Sequence, residues 1–229
     1  MQFINTETTI EEPIFLDNHL IAVYKPFGIP TQPDRPTQIS LLGLTKDWLK
    51  KKYNKPGNVF LGLLHRLDRP VAGIVLFART TKAASRLSAQ FREKTIKKYY
   101  QASVLSQPKQ PEGTLVHYLR KERSLKATVF PRETKGTKRA ELSYRTLKST
   151  SSGNVLEILP KTGRFHQIRA QLSFTGTPII GDLKYGAPFP LPGKKIALLA
   201  YKLCFKHPIT KEPIQIECHT PKDWPFELN

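Results

Sequence analysis

Two apolar runs, Val59-Phe60-Leu61-Gly62-Leu63-Leu64 and Val71-Ala72-Gly73-Ile74-Val75-Leu76-Phe77, enclose the charged tetrapeptide His65-Arg66-Leu67-Asp68. This juxtaposition restricts the fold more than any other stretch of the chain. Each run reads as a core-forming strand, so the polar residues between them are expected at a defined place on a rigid scaffold. Asp68 stands between Arg66 and Arg69, whose charges favour an ionised acid, the form that suits a nucleophile or a base. A loop carboxylate in solvated ion pairs would look the same in isolation. The remaining residues have to separate these readings.

The charge balance narrows the partners. Lys and Arg number 37 against 18 acids in 229 residues, a net charge of +19 that far exceeds what solubility requires. Such a field implies a polyanion, and without an amphipathic or hydrophobic membrane-anchoring segment the expected one is nucleic acid. A generally basic, merely solvated surface is the plain alternative. No apolar run is long enough to span a bilayer, and Met1–Glu12 carries acids in place of a signal-peptide core. A cytoplasmic protein is therefore expected, and two cysteines, Cys204 and Cys218, agree with a reducing compartment.

Along the chain, Ile14-Phe15-Leu16 and Leu20-Ile21-Ala22-Val23 read as strands joined by Asp17-Asn18. Lys25, ahead of the Pro26-Phe27-Gly28 turn, could meet a ligand or simply be solvated. Helices are predicted from Ser40 to Tyr53, with Ser40 as N-cap, and from Thr81 to Glu93. Lys97–Leu105 alternates as a strand that places Tyr100, Ala102 and Val104 on one face, so Tyr100 points inward as a core or a catalytic residue. Residues 115–147 read as a basic β extension, either contacting phosphates or solvated. Val155–Leu159 is a strand, and a helix from Phe165 to about Phe174 sets His166 and Arg169 on one side. Ile196–Phe205 and Ile214–His219 form a hairpin across residues 207–212. Strands fall in adjacent runs and helices are few, so the expected class is α+β with a mixed, largely antiparallel sheet in a single domain of two halves.

Several chemistries lack their motifs. Dinucleotide and nucleotide-triphosphate glycine loops are missing, as is the G-x-S-x-G elbow, and Cys204, His207, Cys218 and His219 do not have zinc-ligand spacing. What remains is a site without metal or cofactor, built from one Asp, arginines and a tyrosine.

Five segments in series resemble one family. His65-Arg66-Leu67-Asp68 with Gly73, Lys98-x-Tyr100-x-Ala102-x-Val104, and Gly163-Arg164-x-His166-Gln167-Ile168-Arg169 with Gly181-Asp182-x-x-Tyr185-Gly186 are similar to motifs of RluA-type pseudouridine synthases. Asp17–Gly28 and Phe205-x-His207-Pro208 fit as well. The resemblance implies a fold with a central RNA-binding cleft and isomerisation of uridine to pseudouridine in structured ribosomal or transfer RNA, with no cofactor and a monomeric enzyme. It makes Asp68 the essential carboxylate, adding to the substrate or taking a sugar proton. Arg169 would pair with Asp68, Tyr100 would pack against the uracil, Arg66 would fill the gap left by the flipped nucleotide, and Leu198 would wall the base.

The chain departs from the usual pattern in having Val71-Ala72 for Thr-Ser, Phe165 for Thr, Gln171 for His and Leu199 for His. On this resemblance it is also expected to start at the catalytic region, without the accessory RNA-binding domain many relatives carry. An inactive RNA-binding or ribosome-assembly protein on the same fold is the alternative to the enzyme. A DNA-binding module, with no recognition helix or zinc finger, comes last.

Overall fold

The computed structural model describes residues 10–221 and 224–225, so most of the acidic stretch Met1–Glu12 lies outside the described residues. Strands β1 (Phe15–Leu16) and β2 (Leu20–Lys25) form a hairpin whose turn is closed by Asp17, which accepts the His19 and Leu20 N–H groups at 2.7 and 2.6 Å. Helix α1 (Leu41–Lys52) starts where expected, its Gly43 N–H bonded to the Ser40 hydroxyl at 3.3 Å. Its last turn carries Lys50, Lys51 and Lys52, where the helix dipole favours cations. Then come β3 (Gly62–Leu63), β4 (Ala72–Ala78), and α2 (Thr81–Arg92), capped by Thr80. Strand β5 (Lys97–Val104) precedes the antiparallel ribbon β6 (Glu112–Lys121), β7 (Ala127–Phe130), β8 (Lys138–Thr150) and β9 (Gly153–Pro160). Helix α3 (Gln167–Phe174) and the hairpin β10 (Leu198–Lys206) and β11 (Pro213–Glu217) complete the order.

Among the described residues the strands join into one sheet in the order β1-β2-β4-β10-β5-β9-β8-β6-β7, with β3 beside β4 and β11 beside β10. Only β4 and β10 run parallel, so the sheet is mixed and largely antiparallel, and helices are few. Strand β4 shows why residues 71–77 have no polar alternation. Val75 and Phe77 pack with Ile21, Val23 and the Leu41, Leu49, Ile168 and Leu172 side chains of α1 and α3. Ile74 and Leu76 pack on the other face with Leu20, Ala22 and Leu87 of α2. A strand covered on both faces must be apolar at every position. Burying a side chain such as Phe77 or Leu76 contributes about 1.5–3 kcal/mol each.

The first apolar run behaves differently. Val59–Leu64 is not a core-forming strand: only Gly62 and Leu63 pair, with Ala78 and Phe77, and Phe60 is exposed. The segment crosses between β4 and α2 at Gly62, where a Cβ would lie 2.9 Å from that of Ala84. Its apolar residues cover neighbours from a loop and supply only a short edge.

Gly73 decides where the sheet changes direction. Its φ is +126°, and a Cβ there would lie 2.3 Å from the Ala200 carbonyl oxygen. Only glycine lets β4 approach β10 closely enough to form the parallel pairs Leu199 with Ala72 and Ala200 with Gly73. The Asp68 loop that precedes β4 is thereby anchored beside the start of β10.

Candidate active site

Leu67 is the inward peg of the tetrapeptide. Its N–H donates to the Thr31 hydroxyl at 3.1 Å, and that hydroxyl donates to the Leu67 carbonyl at 3.0 Å. Thr31 and Leu67 are both buried, so the loop is pinned through its own backbone. The next residues are tied to the Pro26–Ile29 turn: Gly28 N–H donates to the Arg69 carbonyl at 2.9 Å, and Arg69 Nε donates to the Gly28 carbonyl at 2.7 Å.

Lys25 holds the same junction from inside. Fully buried, its ammonium donates to the carbonyls of Ile29 (2.7 Å), Pro26 (3.0 Å) and Arg69 (3.2 Å). Burial pushes it down to about 7, opposed by Asp68 and reinforced by Arg69, while three carbonyls matched to three ammonium donors favour the charged form. Lys25 therefore does not meet a ligand. It is an internal strut whose donors are already used. His65 is a second strut: its Nε2 accepts the Leu76 N–H at 3.0 Å, and burial, then the Lys98 cation, lowers it to about 3.

With Leu67 turned in, Arg66 and Asp68 face a cavity of about 490 Å³ whose walls include Tyr100, His166, Arg169 and Leu198. Arg66 is exposed and has no ion pair or hydrogen bond among the described residues. Asp68 is partly exposed, and its Oδ2 accepts from Arg169 Nη1 at 3.1 Å. Tyr100, on β5 between Ala200 and Ile158, is 8% exposed, and burial first, then Asp68, raises its hydroxyl above the ordinary range, so it stays protonated. Leu198 is buried at the start of β10 opposite Ala102. All five residues singled out in the sequence thus line one cavity.

Two further groups complete the arrangement. Arg169 is not given over to Asp68 alone, because Asp182 takes it with two bonds, Nε to Oδ2 at 2.7 Å and Nη2 to Oδ1 at 2.8 Å. Asp182 is buried, which makes this a bidentate internal pair that aims the remaining guanidinium nitrogen at Asp68. Burial works against the Arg169 cation, but Asp182 and then Asp68 more than offset it and hold the group above its usual value. The signal for Asp182 was its place in the Gly181-Asp182-x-x-Tyr185 segment, beside a glycine at φ +83° whose Cβ would lie 2.7 Å from the Lys195 carbonyl. Nothing local says which arginine it meets.

His166 is the other. Helix α3 begins one residue after it, later than the expected Phe165, because His166 adopts a left-handed backbone (φ 52°). Its ring stacks on Phe165 at 3.8 Å, Nδ1 lies 2.9 Å from the Tyr185 hydroxyl, and Nε2 lies 3.5 Å from Asp68 Oδ2. Burial first lowers it, to about 4, with Asp68 opposing, so the ring is neutral at pH 7. The Tyr185 hydroxyl accepts from Ala127 N–H at 2.7 Å and can donate to Nδ1, which leaves the proton on Nε2, facing Asp68. Gln171, further along α3, donates to the Leu115 carbonyl at 3.2 Å and lies 3.0 Å from His117 Nδ1, tying the helix to β6.

A carboxylate clamped from one side by an arginine, over a tyrosine and a leucine, can add to an electrophilic carbon or accept a proton from a bound ligand. Comparison with known proteins agrees in family. The sequence profile of the RNA pseudouridylate synthase family matches residues 19–174. Ribosomal large subunit pseudouridine synthase C of Rickettsia conorii is 31% identical over 215 residues, covering 93% of this chain and 69% of its own length. tRNA pseudouridine synthase C of Salmonella typhimurium is 31% identical over 234 residues, covering 93% of this chain and 86% of its own. The solved structure of human RNA pseudouridylate synthase domain containing 4 shares the fold, with a TM-score of 0.77 at 23% identity over 92% of this chain and 88% of that one. The chain belongs to the RNA pseudouridylate synthase family.

Proposed function

We propose that this RNA pseudouridine synthase works through Asp68 on a uridine flipped out of structured ribosomal or transfer RNA, in the cytoplasm. The relatives named above, one for the large ribosomal subunit and one for tRNA, support that substrate class. The observation that carries the roles is the clamp on Asp68. Arg169, itself locked by Asp182, meets one carboxylate oxygen and leaves the other open to the cavity.

The reaction breaks the bond from uracil N1 to the sugar, turns the base, and joins C5 to the same sugar carbon. The proton on C5 is released, N1 gains one, and the product is an isomer of the substrate. Asp68 acts either by covalent addition or by removing a sugar proton. In both cases the carboxylate has to be held still, which the Arg169 clamp supplies. Tyr100 and Leu198 sandwich the loose base so that it turns without leaving. Arg66, unpaired at the mouth, takes the stacking position the uridine vacates and offsets part of the few kcal/mol that extrusion costs. The basic ribbon at residues 115–147 adds phosphate contacts.

The test is tritium release from RNA containing 5-tritiated uridine. Asp68→Asn is expected to abolish release while RNA affinity stays within a few fold, and release at the wild-type rate from that variant would refute the assignment. An inactive binding protein, the other reading of the same fold, would show no release from the wild-type chain on any ribosomal or transfer RNA.

A further inference from the structure

The mechanism leaves one ammonium unused. Lys98, two residues before Tyr100 on β5, lines the reaction cavity and also a second hollow of about 540 Å³ that runs on from it. The two share Phe91, Lys98, Pro160, Thr162, Gly163 and Arg164 in their walls, so they adjoin. Lys98 has no carboxylate partner and no hydrogen bond among the described residues; its neighbour is the Phe91 ring, 5.7 Å away. Burial alone lowers its basicity, so the charged form is held there at a cost. Gly163 lies beside the ammonium, where a Cβ would stand 3.7 Å from it, in ordinary van der Waals contact.

The second hollow is basic along its length. Arg92, Lys94 and Lys97 are exposed on it and have no acidic partners among the described residues. The acid in its wall, Glu141, is already engaged by Arg139 and Lys161. A trough of unpaired cations that ends at a half-buried ammonium, beside a cavity for one nucleotide, matches a strand of phosphodiesters leaving that nucleotide.

We propose that this trough, between the end of α2, the start of β5 and the loop ahead of α3, seats the RNA backbone on one side of the target uridine, with Lys98 on the adjoining phosphate. The proposal rests on the uridine-flipping reading of the cavity. It adds a path for the strand, and it makes Lys98 a binding residue that is kept at the expense of stability.

The test uses a fluorescein-labelled RNA stem-loop with uridines in its loop, titrated at several salt concentrations. Every phosphate of a single strand that is deprived of its cation should flatten the plot of log affinity against log salt by about 0.7. The double variant Arg92→Ala/Lys94→Ala is expected to take roughly 1.4 off the slope. Lys98→Met should take off about 0.7 and bind roughly tenfold more weakly, and its tritium-release KM should rise more than kcat falls. It should also melt at or above the wild-type temperature, because an unpaired buried charge has been removed. Unchanged affinity and slope in both variants would overturn the proposal, as would a lower melting temperature of Lys98→Met with unaltered affinity. The binding slopes need no turnover. If these substitutions flatten the slope while the wild-type chain releases no tritium, the isomerase roles fall and the trough stands.

Discussion

Arg66, Leu67 and Asp68 divide their work by direction. Leu67 is locked inward through Thr31, which leaves its two charged neighbours facing the cavity. Arg66→Ala should reduce tritium release roughly tenfold or more while RNA affinity changes by less than about threefold, because the extrusion of the base is lost and not the grip on the backbone. Equal losses would mean that Arg66 only holds phosphate. Arg66, Asp68, Tyr100 and Arg169 were legible in the sequence because each lies in a short motif with its own spacing, while Leu198 came only from the family resemblance. Their positioning groups were not. Lys25, read as either a ligand contact or a solvated lysine, is a strut that ties its own Pro26–Ile29 turn to the Arg69 carbonyl 44 residues on, and Asp182 meets Arg169 of helix α3; neither pairing is marked in the residues around it.

Strands β4 and β10 meet in parallel over two residue pairs, which sets the Asp68 loop ahead of β4 beside Leu198 at the start of β10. Gly73→Ala would bring a Cβ into the Ala200 backbone at a φ of +126°. The expected loss is at least ~3 kcal/mol in urea denaturation, with tritium release lost alongside; a fully stable variant would show that the strands can part at this point without harm. Two departures from the usual family pattern meet here. Leu199 pairs directly with Ala72, so a site where Ser and His are usual has become apolar on both strands at once, and Leu199 is wholly buried. Replacing both polar partners together leaves no unpaired group behind. The helices and hairpins were readable from capping and period. The failure was Val59–Leu64, whose apolar content arises from covering β4 and α2 from a loop, which no local period distinguishes from a strand.

Proton uptake and charge act on the molecule as a whole. His65 and His166 are lowered to about 3 and about 4, chiefly by burial, from an ordinary value of 6.5. As pH falls below 6.5 the unfolded chain takes up protons that the folded one refuses. Stability is therefore full above that pH and declines toward pH 4, by up to about 1.4 kcal/mol per unit for each histidine. Urea denaturation between pH 7.5 and 4.5 should show this fall, and His65→Gln should make it shallower; identical slopes for both proteins would contradict the assignment. The amino-acid order by itself determined the fold class, the polyanionic partner and the residues of the cavity, since burial patterns, net charge and short motifs are properties of neighbouring residues. The tertiary structure alone decided which charges are already paired and which stay open to a ligand. Asp68 and Arg169 stand 101 positions apart, Asp182 acts on the site only through Arg169, and Lys98 comes to the cleft through the order of strands in the sheet. A charge has a partner or lacks one according to distance in space, and the chain's sequence of residues does not contain that distance.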